Sequence, residues 1–163
     1  MQLMIWVESL SYSAWVRESN SLWAFPMFLF AHTLGMSIVA GGSTVICMAL
    51  LGLWPRTSLR TLERLYPYMM VGFAINAFTG ISIFMKDATV YSRNFDLYVK
   101  LLFIALGMFL LFRIRRQVLR DPDVDKRPVP PAGRMLAWAT LLCWLGAIIT
   151  GRLIAYVGPV AGL

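Results

Sequence analysis

LWAFPMFLFAHTLGMSIVAGGSTVICMALLGLW, residues 22–54, contains no Asp, Glu, Lys or Arg. A hydrocarbon core of about 30 Å is crossed by about 20 apolar residues at 1.5 Å each, so this run is a transmembrane helix with length to spare. It should tilt or project beyond the bilayer. Working outward, residues 66–85, 97–112 and 135–157 repeat the pattern, the third run being the shortest. Of the 163 residues, 59% are hydrophobic and the mean hydropathy is +0.68. Soluble globular proteins hold roughly 45–50% apolar residues, so water is the wrong solvent to assume. The expected fold is all-α: a single domain over residues 1–163, built as a polytopic membrane four-helix bundle.

The formal charge of +7 does not point to nucleic acid, because the cations sit in short segments between apolar runs rather than along one face. They read instead as topology signals. The first connection carries Arg56, Arg60 and Arg64 against Glu63. Residues 113–134, expected as a loop, carry Arg113, Arg115, Arg116, Arg120, Lys126, Arg127 and Arg134 against Asp121, Asp123 and Asp125. By the positive-inside rule both belong in the cytoplasm. The second connection is nearly balanced, Lys86, Arg93 and Lys100 against Asp87 and Asp96, which places both termini on the non-cytoplasmic side. Pro122, Pro128, Pro130 and Pro131 make residues 121–133 an extended excursion. In residues 1–20, Leu3, Val7, Leu10 and Ala14 recur at helical spacing beside Trp6 and Trp15. They describe an interfacial amphipathic helix, or equally a lid packed on the bundle. A cleaved leader is not expected, since a positive n-region is missing and Glu8 interrupts the run. Cys47 and Cys143 fall inside apolar runs and read as buried thiols.

Small residues at four-residue spacing allow helices to approach closely in lipid. Ala31 and Gly35, the cluster Gly41 to Thr44, the Gly72, Asn76, Gly80 face and the Ala147, Gly151, Ala155 face are the expected seams. Polar groups within the spans are costly, hence functional candidates. His32, the single histidine, lies about ten residues, roughly 15 Å, into the first span. Asn76 and Thr79 lie in the second, and Arg152 near the outer end of the fourth. One reading of His32 is a neutral imidazole bonded across helices to Asn76, Thr79 or a carbonyl. The other is an axial ligand of haem b, whose propionates would take Arg152, Lys100 or Lys86 near the polar edge. The candidate cofactor-binding set is therefore His32, Arg152, Lys100, Asn76 and Gly35. One histidine leaves the iron five-coordinate, or paired with Met36 or with a second His32 from a symmetry-related copy. No catalytic residue is assigned, since no nucleophile–base pair or carboxylate dyad can be assembled. The spans also lack the carboxylates of a proton relay, which makes small-solute or metal transport a weak alternative.

Trp23, His32 and Gly35, then Tyr66-Pro67, Gly72 and Thr79-Gly80, then Tyr98 and Lys100, and a closing Trp144…Gly151-Arg152-Leu153-Ile154-Ala155-Tyr156 form a pattern over most of residues 20–157. It resembles a family of small bacterial four-helix inner-membrane proteins, the terminal GRxxAY being its most distinctive part. More distantly it is similar to CopD-type copper-resistance domains and HemJ-type protoporphyrinogen oxidases. The resemblance implies an inner-membrane location and haem b at His32; the further histidines of those groups are missing here. Two functions follow: a haem-binding subunit that moves electrons or anchors a periplasmic redox protein, and a structural or accessory protein without cofactor, assembled as a homo-oligomer or within a membrane complex. Lipid is the partner common to both.

Overall fold

The computed structural model describes residues 1–54 and 57–157, so Arg56 of the first connection lies outside the described residues. Among these residues all the regular structure is helical, without a strand. The elements are α1 (Gln2–Ser9), α2 (Ser11–Glu18), α3 (Phe25–Leu50), α4 (Leu59–Leu62), α5 (Tyr66–Lys86), α6 (Ala88–Tyr91), α7 (Phe95–Ile114) and α8 (Pro131–Leu153). A 3-10 turn, Glu63–Leu65, joins α4 to α5, and a π-helical turn, Arg115–Leu119, prolongs α7. The helices carrying α3, α5, α7 and α8 are each long and apolar enough to cross a membrane. Their outer faces expose Phe30, Phe78, Leu102, Phe109, Leu142 and Ile149, a girdle that water would not tolerate and acyl chains would. This is an all-α, multi-pass membrane protein.

Chain punctuation explains the helix limits. Pro26, Pro67 and Pro131 each sit in the first turn of their helix, where a missing N–H goes unnoticed. The run at residues 22–54 is shorter as a helix than its apolar length suggests. At its end Gly52 takes φ +82°, Leu53 N donates to Met48 O at 3.0 Å and Gly52 N to Ala49 O at 3.0 Å. That is a Schellman cap, which only the glycine makes cheap. Asn94 caps α7 by accepting from Asp96 N at 2.9 Å and Leu97 N at 3.3 Å, so the third span starts earlier than residue 97.

Two further boundaries differ from the sequence expectation. Residues 113–119 are helical rather than loop, because Ile114, Val118 and Leu119 are buried in the core and continue the apolar face of α7. The N-terminal segment is two helices, not one. The chain turns at Leu10 (φ −62°, ψ 138°), and the freed carbonyls are taken by hydroxyls: Ser9 Oγ donates to Trp6 O and Ser13 Oγ to Val7 O, both at 2.7 Å.

The two ends of the bundle are closed differently. At the arginine-rich end Asp125 accepts from Ser58 Oγ and Leu59 N, both at 2.7 Å, and Glu63 accepts from Arg115 Nε at 3.0 Å. Arg115 also lies 4.0 Å over the Tyr66 ring. At the opposite end α1 and α2 dock on α5 and α6. Glu8 accepts from Thr89 N and Oγ1 at 2.7 Å, Tyr12 Oη donates to Ser82 Oγ at 2.8 Å, and Val16 is fully buried. The segment is thus a lid, with Leu3, Ile5 and Trp6 still exposed on its outer face. The largest apolar core lies towards the arginine-rich end, around Ile46, Leu50, Met69, Leu111, Ile114 and Leu119.

Candidate functional site

Helices α3 and α5 meet where Gly35 faces Gly72. A Cβ on Gly35 would stand 2.7 Å from Gly72 O and 2.9 Å from Asn76 N, and one on Gly72 would stand 2.7 Å from Ile38 Cγ2. With no side chain between them the two backbones come within reach of each other's polar groups. One turn towards the lid, His32 Nδ1 reaches Asn76 O at 3.0 Å and Thr79 Oγ1 at 3.1 Å. In return Asn76 Nδ2 donates to His32 O at 2.8 Å. The result is a reciprocal clasp, each side chain bonded to the other residue's backbone.

These partners fix the imidazole's tautomer. A carbonyl only accepts, so Nδ1 carries the proton and donates it to Asn76 O. The Thr79 hydroxyl donates to Ile75 O at 2.7 Å, leaving its lone pair for the same proton. Nε2 is therefore the acceptor, and Lys100 Nζ of α7 stands 3.4 Å from it as donor. The fourth transmembrane helix approaches as well: a Cβ on Gly151 would lie 3.5 Å from Lys100 Cε and 3.6 Å from its Nζ. On the other flank, a Cβ on Gly80 would lie 3.0 Å from His32 Cε1. Residues from α3, α5, α7 and α8 thus converge on one half-buried polar centre.

Of the candidate residues, His32, Asn76, Lys100 and Gly35 come together, and Thr79 joins them. Arg152 does not: its side chain is exposed and makes no hydrogen bond or salt bridge among the described residues. Lys86 is held elsewhere, 2.8 Å from Asp87 and over the Phe25 ring at 4.6 Å. The sequence placed Lys100 at the rim of its span. Instead it sits in the second turn of α7 and turns inward, since the helix begins at Phe95. Gly80 and Gly151 were legible as packing residues, but their place beside the imidazole and the ammonium follows only from the assembled bundle.

A tetrapyrrole iron does not fit this arrangement as it stands. The Nε2 lone pair it needs already faces an ammonium. Met36 lies one turn from His32 on the same helix and packs towards Val39, Ala40 and Trp144, so it cannot stand opposite His32 across an iron. Among the described residues no three His, Cys, Asp or Glu side chains gather to hold a metal ion, and Cys47 and Cys143 are free and buried. Compared with family models, with curated proteins and with solved structures, the chain matches none.

Proposed function

We propose that this chain is a non-enzymatic accessory protein of the bacterial inner membrane, acting within a homo-oligomer or a larger membrane complex. Its arginine-rich end faces the cytoplasm, and the lid, with the end of α8, faces the periplasm. What supports the reading above all is that both ring nitrogens of His32 are engaged inside the bundle, one by α5 and one by Lys100. An imidazole bonded on both sides serves helix association, and intramembrane polar contacts of this kind stabilise by about 0.6 kcal/mol on average. The orientation rests on the arginine distribution and on the resemblance to inner-membrane proteins.

Absorption spectra of detergent-purified protein from haem-replete cells test it. No Soret band is expected in the oxidised or reduced state, and His32→Ala should leave the spectrum unchanged. A band present in the wild type and abolished by His32→Ala would overturn the reading in favour of haem b. That second reading keeps one favourable observation, since a proton held on Nδ1 by a carbonyl is how ligating imidazoles are commonly oriented. It requires Lys100 to leave Nε2.

A further inference from the structure

We infer that Lys100, steadied by His32 Nε2, is the receiving group for a phosphate-type oxyanion, supplied by a lipid headgroup or by a free ion. An ammonium carries three donors. Lys100 meets one acceptor among the described residues, His32 Nε2, and that at a long 3.4 Å. It forms no salt bridge there: Asp87 is taken by Lys86, and Asp96, one turn earlier on α7, makes none with it. The imidazole brings no negative charge to offset it, because the neutral ring offers Nε2 only as a lone pair.

A half-buried cation within an apolar layer is costly unless an anion or several strong acceptors accompany it. The protein supplies neither among its described residues, so two donors of the ammonium remain for a ligand. Lys100 is half-buried rather than enclosed, and Gly151 packs beside its stem without a side chain of its own. Lys100 is five residues beyond Phe95, roughly 8 Å along the α7 axis, and His32 is seven beyond Phe25, roughly 10 Å along α3. The pair therefore lies shallow, near the lid end, within reach of a group entering from the headgroup layer. A tetrahedral oxyanion suits a point donor such as lysine, and charge-assisted bonds are the stronger class.

The inference rests on the engaged His32 of the accessory-protein reading, but its failure is read separately. Full-length protein in neutral detergent is titrated with inorganic phosphate and, in a second series, with phosphatidylglycerol, following thermal unfolding. Wild type should be stabilised by at least one probe. Lys100→Gln keeps an amide donor for Nε2 while removing the charge, and should bind about tenfold more weakly or worse. A response to phosphatidylglycerol alone supports the site with the bilayer as source; a response to inorganic phosphate supports it with a free ion as source.

Lys86, Lys100 and Lys126 are the lysines of the chain, so lysine-selective nitrogen NMR reads Nζ of Lys100 in the wild type without any substitution. Its resonance should move with the effective probe. An unmoved resonance with both probes, or a Lys100→Gln protein that binds as wild type, overturns the site and assigns binding to the arginine-rich end. Colourless protein with that outcome leaves the accessory reading standing.

Discussion

Between α3 and α5 glycine lets backbone meet backbone; between α7 and α8 it lets backbone meet an aromatic ring. At Gly35 an added Cβ would strike Gly72 O at 2.7 Å, an atom that cannot move without its helix. At Gly146 it would strike the Phe103 ring at 2.8 Å, and at Gly107 it would meet Trp144 Cε2 at 3.3 Å. A ring yields by turning about its side-chain bonds. The same residue type, in similar spacing, therefore makes one junction exact and the other adaptable. The polar clasp lies along the exact one, because hydrogen bonds between backbone and side chain tolerate little displacement.

Substitutions can break or sharpen this contrast. Gly35→Ala has nowhere to relax and should cost about 3 kcal/mol, the upper range for overpacking, read as loss of unfolding midpoint in detergent. Gly146→Ala should cost about 1 kcal/mol, since Phe103 can rotate away. Equal losses at the two positions would show that the seams do not differ in rigidity. Smaller again is the bond from the imidazole to Thr79. A double-mutant cycle of His32→Ala and Thr79→Ala, whose side chains meet directly at 3.1 Å, should give a coupling of about 0.6 kcal/mol, and near-zero coupling would remove that bond from the account.

The smallest effect concerns Asp125, which ties the connection after α3 to the one after α7. The Ser58 hydroxyl, then the N–H groups of Leu59 and Arg60, hold its carboxyl below the usual carboxylate range. A lowered value means the contribution is complete above the ordinary carboxylate pKa and is lost as pH falls through the lowered one. The side chain is exposed, so the contribution should stay well below about 1 kcal/mol. Asp125→Asn should flatten the acid limb of the stability profile by that small amount; an unchanged limb would mean the tie does not persist in solution.

How far these features were legible follows from how local each signal is. Four apolar runs announce the spans, because lipid demands a fixed length of each. The Gly72, Asn76, Gly80 face and the pairing of His32 with Asn76 and Thr79 were readable as well, since each helix shows its small and polar residues at helical spacing. Gly107 and Gly146 were missed. Their partners, Trp144 and Phe103, stand on the opposite helix, and one strand of sequence does not reveal which ring fills which gap. The meeting of Lys100 with His32 was hidden for the same reason: it depends on α7 lying beside the α3–α5 pair. The break at Leu10 lacked the usual glycine or proline and was made by serine hydroxyls.

The lid carries a consequence for biosynthesis. Glu8 and Tyr12 bond to Thr89 and Ser82, partners encoded 81 and 70 residues later. A ribosome adding roughly 5–20 residues per second needs on the order of 4–16 s to reach Thr89 from Glu8. Through that interval α1 and α2 must wait undocked, with Val16 uncovered, until α5 and the start of the next connection have been made. Although translated ahead of all four spans, the lid thus finds its place only after the second of them has been made.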